Sequence, residues 1–122
     1  MKIFAYTALL LFCSTAYGKA LECPKLYPSN GEENVPEARL ISAGVTAGDV
    51  DGGGDLQGDI REFKGGRTVD FALPTGRKHF VCVYGKRYEH KWSTKLDDNF
   101  SQCRLVVKDK VRENMTAKLT CR

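Results

Sequence analysis

Two histidines, one tryptophan and two methionines are all that the 122 residues hold of those types. His79 and His90 fall in different strand candidates, so they supply no ready acid–base pair. A zinc site would need more histidine, or cysteines kept reduced. No pair of carboxylates stands on a recognisable scaffold for glycoside cleavage. Beyond residue 18 no apolar run is long enough to propose a membrane-spanning segment in the mature protein. Helical amphipathic periodicity and internal repeats are missing as well. Twelve glycines and four prolines make the chain loop-rich, without the composition of a collagen-like or disordered protein. A formal charge of +4 is too mild to imply nucleic acid. The composition therefore points away from an enzyme, calls for no metal and no cofactor, and allows one small domain.

What the chain does have is a leader and an unusual share of cysteine. Lys2 precedes an apolar run from Ile3 to Phe12, and the polar, small-residue stretch Cys13-Ser14-Thr15-Ala16-Tyr17-Gly18 follows. This is the pattern of a secretory signal peptide, well short of the roughly 20 apolar residues of a membrane span. Ala16 and Gly18 stand at the spacing that signal peptidase favours. Residues 1–18 therefore read as the signal, and residues 19–122 as a single β-rich secreted domain. A lipoprotein signal with Cys13 acylated is the rival, opposed by Phe12 where a small residue is expected. Loss of Cys13 with the signal turns an odd count of five cysteines into four: Cys23, Cys82, Cys103 and Cys121. An even count suits an oxidising compartment. A domain of this size buries roughly 60–70% of its unfolded surface, a thin core that two disulfides would reinforce.

Charge divides the mature chain. Residues 19–63 carry 4 Lys or Arg against 9 Asp or Glu, whereas residues 64–122 carry 14 against 6. The first part opens with Pro24, Pro28, Asn30-Gly31 and Pro36, which predict extended chain and loop. Ala38 to Val45 reads as a strand. Gly48-Asp49-Val50-Asp51-Gly52-Gly53-Gly54-Asp55 has no apolar periodicity and reads as a flexible loop. Leu56 to Phe63 and Arg67 to Leu73 are weaker strand candidates. The last third alternates more clearly: His79 to Tyr84, Tyr88 to Leu96, Cys103 to Lys108 and Ala117 to Cys121. The expected fold is mainly β, a small antiparallel sheet or sandwich with a C-terminal four-stranded meander, stabilised by disulfides.

A hairpin centred on Arg112 sets residues whose numbers sum to 224 opposite one another. Cys103 then faces Cys121, Leu105 faces Leu119 and Val107 faces Ala117, and all six side chains share one face. Four cysteines permit three connectivities, and this register favours Cys103 with Cys121, leaving Cys23 with Cys82. On the chain-entropy estimate the two loops are worth about 3 and about 4 kcal/mol.

The candidate binding residues lie on the surface segments. Asp49, Asp51 and Asp55 could ligate calcium, but Gly53 and Ile60 occupy the positions where an EF-hand loop needs ligands. These aspartates, with Asp59, are equally a docking loop or simply a solvated one. Tyr84, Tyr88 and Trp92 are residue types that anchor interfaces when exposed, and one or more of them can instead belong to the core. Arg104, Lys108, Lys110, Arg112, Lys118 and Arg122 read first as the solvent face of a sheet. Asn99-Phe100-Ser101 and Asn114-Met115-Thr116 fit the glycosylation pattern, which matters only in a eukaryotic source.

Leu21-Glu22-Cys23-Pro24 after a signal peptide, the strand His79-Phe80-Val81-Cys82-Val83-Tyr84, then Cys103-Arg104-Leu105 and a terminal cysteine together resemble a family of small periplasmic proteins encoded in type VI secretion clusters. The likeness spans most of the mature chain on about four short signatures, and residues 44–66 depart from it. It implies that the domain is periplasmic, an immunity protein that binds and blocks a secreted, peptidoglycan-targeting effector, with L,D-transpeptidase-like enzymes as the leading target. Inhibition of a host lysozyme, a small envelope-binding role and a small secreted enzyme are the other readings. An acidic loop formed by Asp49, Asp51, Asp55 and Asp59 filling a basic effector cleft is a mechanism read from the charges, not from the family.

Overall fold

Alternate apolar positions translate directly into strands. The computed structural model of the chain describes residues 20–28, 38–51, 53–109 and 115–122. The signal peptide expected over residues 1–18, Cys13 within it, the turn around Arg112 and the Asn114 acceptor lie outside these residues. The nine strands described are β1 (Ala20–Glu22), β2 (Leu40–Ala47), β3 (Gly54–Asp55), β4 (Asp59–Phe63), β5 (Gly66–Ala72), β6 (Lys78–Tyr84), β7 (His90–Lys95), β8 (Gln102–Lys108) and β9 (Thr116–Cys121). No helix occurs among the described residues, and so none is long and apolar enough to cross a membrane.

The strands form two antiparallel sheets, one in the order β1-β9-β8-β5-β4 and the other β3-β2-β6-β7. Their facing side chains make one core. Val69, Phe71, Leu105, Val107 and Leu119 come from the first sheet and Leu40, Val45, Phe80, Cys82 and Tyr84 from the second. The fold is therefore mainly β and disulfide-stabilised, as expected. The β8–β9 register is the one read from the sequence, with Cys103 opposite Cys121, Leu105 opposite Leu119 and Val107 opposite Ala117. Both disulfides follow: Cys103–Cys121 crosses β8 and β9 within a sheet, and Cys23–Cys82 joins the arm after β1 to β6 in the other sheet.

The four-stranded meander is corrected. The hairpins β6–β7 and β8–β9 exist, but β7 and β8 belong to different sheets, and β8 takes β5 as its second neighbour. Alternation defines which side chains share a face and leaves strand neighbours open. The segment between them makes the crossover. Leu96 is buried and donates its N–H to Lys78 O, while the Asp97 carboxylate accepts from Asn99 N. Chain ends also shift by a few residues, with β2 running to Ala47 and β4 beginning only at Asp59.

Lys78 is the least expected core residue. It is fully buried on the face of Phe80, Cys82 and Tyr84, and its Nζ donates to Pro74 O, Gly76 O and Asp98 O at 2.8–3.1 Å. All three ammonium protons are satisfied by carbonyls, which is how a buried charge is tolerated. Pro74 and Gly76 lie on the β5–β6 connection and Asp98 on the β7–β8 connection. One side chain thus ties together both crossovers between the sheets in this half of the molecule.

Candidate functional site

The acidic segment between β2 and β4 is partly ordered rather than wholly free. Gly48 N donates to Arg77 O, and His79 Nδ1 donates to Gly48 O at 2.9 Å. Asp49 pairs with Arg77, although both side chains are well exposed. Gly53 N closes a turn on Asp49 O, and a Cβ at Gly53 would lie 2.0 Å from Ala47 O, so only glycine passes there. Gly54 and Asp55 then pair with Ala47 and Thr46 as β3. The chain crosses to the other sheet through Gly58, where any Cβ would strike Val69 and Phe71 of β5.

Asp51, Asp55 and Asp59 are exposed along this path, and no cation forms an ion pair with them among the described residues. Asp49 stands apart, because Arg77 already engages it. The structure thus places Asp49, Asp51 and Asp55 between β2 and β4 and Asp59 on β4 itself, and leaves three of the four without a cation among the described residues. Asp59 opens β4, the edge strand of the five-stranded sheet. Ile60 on the same strand is 63% exposed. Among the described residues no group of three or more His, Cys, Asp or Glu side chains gathers to hold a metal.

The three aromatic candidates separate. Tyr84 is corrected from partner contact to core: its ring is fully buried and its hydroxyl donates to Pro24 O at 2.6 Å. Burial disfavours the phenolate and pushes its pKa up to about 12. Trp92 lies opposite Cys82 and packs half-buried against the core. Only Tyr88 is open, 65% exposed and held at φ +59°, a left-handed conformation uncommon for a non-glycine residue. His90 stacks on Tyr27 with centroids 4.6 Å apart, and Tyr27 in turn meets the Tyr84 ring. Both histidines therefore make packing or turn contacts.

Beside the acidic segment lies a cleft of about 490 Å³. The first sheet contributes Ile60, Val69 and Phe71, and the second contributes Ala43, Val45 and Val81. Thr46 lines it too, 5% exposed, with a hydroxyl that has no hydrogen-bond partner among the described residues. Arg67 and Lys91 reach the same cleft without an ion-pair partner among the described residues. Sequence reasoning missed Thr46 and Arg67. A threonine in a strand candidate and an arginine in a basic half carry no distinguishing signal. The solvent face of the five-stranded sheet is different in kind: Asp70 is held between Arg61 and Arg104 at 2.8 Å each, and the Arg104 hydrogen bond, aided by Arg61, holds its carboxyl below the usual range. Asp70 is compensated there, and Asp59 stands opposite it on the same face across β4 and β5. Comparison with family models, with curated proteins and with solved structures finds no match to this chain.

Proposed function

We propose that this chain is a periplasmic immunity protein that binds and blocks a secreted, peptidoglycan-targeting effector. The observation that carries the reading is the set of exposed carboxylates, Asp51, Asp55 and Asp59, which lack ion-pair partners among the described residues and lie between β2 and the start of β4, a path tied to both sheets. A charge that no internal cation compensates is available to an external one, and it steers and selects a basic partner. Four paired cysteines support an oxidising compartment, where such bridges persist. They also suit a blocker, since a clamped surface loses little conformational freedom on binding. The resemblance to small proteins of type VI secretion clusters supplies the effector as partner class.

The acidic segment enters the effector's basic cleft and excludes its substrate. Tyr88, an exposed aromatic that lines the cleft along with Asp55, contributes contact area. The test is direct titration of the protein with the product of the adjacent open reading frame. Replacement of Asp51, Asp55 and Asp59 together by lysine is expected to weaken binding by at least about 100-fold, as loss of several charge contacts does. Thermal stability should be unchanged, because no internal contact is lost. Unchanged affinity sinks the loop model. Inhibition of lysozyme, with no effect of the neighbouring gene product, transfers the reading to a host-enzyme inhibitor.

A further inference from the structure

The free edge of β2 opens into the cleft. Gly48 N bonds to Arg77 O on the β6 side, and Leu56 N bonds to Val45 O on the other. Even-numbered residues of this stretch therefore direct their main-chain groups toward β6, and odd-numbered ones away from it. On that second side β3 covers only Thr46 and Ala47. The Ala43 N–H and C=O point out of the sheet with no backbone partner among the described residues. An uncovered edge of this kind is a template for another extended chain.

Three further observations fall in the same place. The cleft that the edge faces is walled by Ile60, Val69 and Phe71 of the opposite sheet, and its volume of about 490 Å³ lies within the range of ligand sites. The Thr46 hydroxyl is buried there without a partner, an arrangement that costs free energy unless something supplies a hydrogen bond. Arg67, half-buried, and Lys91 bring positive charge to a lining that mixes apolar side chains with Ser42, Thr46 and Gln57, and Asp55 is the one carboxylate in it.

We propose that this cleft takes an extended segment of a partner protein, added as a strand along the free edge of β2 and carrying an acidic side chain among apolar ones. Main-chain bonds at Ala43 give the affinity, the apolar walls select alternate side chains, and Arg67 with Lys91 select the acid. The inference rests on the reading of the chain as a partner-binding module, and it adds a second contact of opposite charge to the acidic segment.

The probe is a phage-displayed library of random linear dodecapeptides panned on the disulfide-intact protein. Enriched peptides should alternate apolar residues around an Asp or Glu, and their binding should slow hydrogen exchange at the Ala43 amide. Ala43→Pro, tolerable where the N–H faces an open edge, should abolish capture. Arg67→Gln should weaken capture about tenfold and Thr46→Val about threefold. Thr46→Val removes only an unpaired hydroxyl, so that variant stays folded and keeps the test decisive. Failure to enrich any peptide, or binding that leaves Ala43 exchange unchanged, overturns the proposal. So does saturation of the cleft by dodecanoate with no peptide captured. An effector blocked equally well by wild type and all three variants removes the cleft from the interface and leaves the immunity reading intact. Peptide capture without any effector binding does the reverse.

Discussion

On the arm, β6, β8 and β9, polar groups and thiols are paired: Cys23 with Cys82, Cys103 with Cys121, the Tyr84 hydroxyl with Pro24 O, and, at the far end of β6, the Lys78 ammonium with three carbonyls. Around the free edge of β2, β3 and β4 the accounts stay open. Thr46 lacks a hydrogen-bond partner among the described residues, Asp51, Asp55 and Asp59 lack cations, and Ile60 is exposed. The difference teaches that stability and recognition are carried by separate parts of a small domain. A thin core leaves little margin for strained or unsatisfied groups near a binding surface, so the covalent and carbonyl-bound ties are carried by the arm, β6, β8 and β9 rather than by β2, β3 and β4.

Four changes would break or sharpen this division, from the largest expected effect to the smallest. Replacing Cys23 and Cys82 together by alanine frees the arm from β6 and should cost about 4 kcal/mol in urea unfolding, since the bridge closes a separation of 59 residues. Lys78→Met strips three carbonyls of their donor and should cost about 3 kcal/mol by the same measurement. An equal loss from replacing Asp51 or Asp55 by asparagine, or Thr46 by valine, would refute the division. Tyr84→Phe should cost about 1 kcal/mol at neutral pH, the worth of one buried hydrogen bond. Its effect on pH dependence is sharper. The folded state holds the Tyr84 pKa up to about 12 against 10.0 in the free side chain. The neutral phenol is the form that the fold prefers, so its contribution is complete below pH 10 and is lost as the pH rises through about 12. Phenylalanine should flatten the alkaline limb of the stability curve over that window.

The smallest effect belongs to Asp70→Asn, on the outer face. Its carboxyl titrates below the ordinary value of 3.8, so the stabilisation is present above that value and is lost as the pH falls through the lower folded pKa. With both arginines exposed and screened, the loss at neutral pH should stay below about 1 kcal/mol and shrink further in salt. An effector affinity that tracks Asp70→Asn more than Asp51 and Asp55 would move the interface to the outer face.

Legibility in the sequence followed the same line. The clamped region could be read because cysteine pairing and period-2 alternation agree: the register that sets Cys103 opposite Cys121 also sets Leu105 opposite Leu119 and Val107 opposite Ala117 on one buried face. Lys78 was equally legible in principle, since it stands on the alternation of Phe80, Cys82 and Tyr84. A charged residue in that position must find buried acceptors, and the acceptors are main-chain atoms that no composition reveals. In the open region the strand candidates Ala38 to Val45 and Leu56 to Phe63 were legible, and the stretch between them only as an acidic, flexible loop. Asp49 was grouped with its neighbours because nothing local distinguishes it, and Arg77, 28 residues away, decides that it is paired.

By itself the sequence determined the strand faces and the separation of an acidic part from a basic one, and it favoured one of three cysteine pairings. These depend on side-chain period and charge, which are properties of neighbours along the chain. Tertiary structure alone decided which hairpin joins which sheet, which tyrosine is sealed in the core, and where an edge and an orphaned hydroxyl face a common cleft. Those outcomes depend on the packing of residues distant in sequence, where burial and hydrogen-bond satisfaction, rather than local preference, select among arrangements of the same strands.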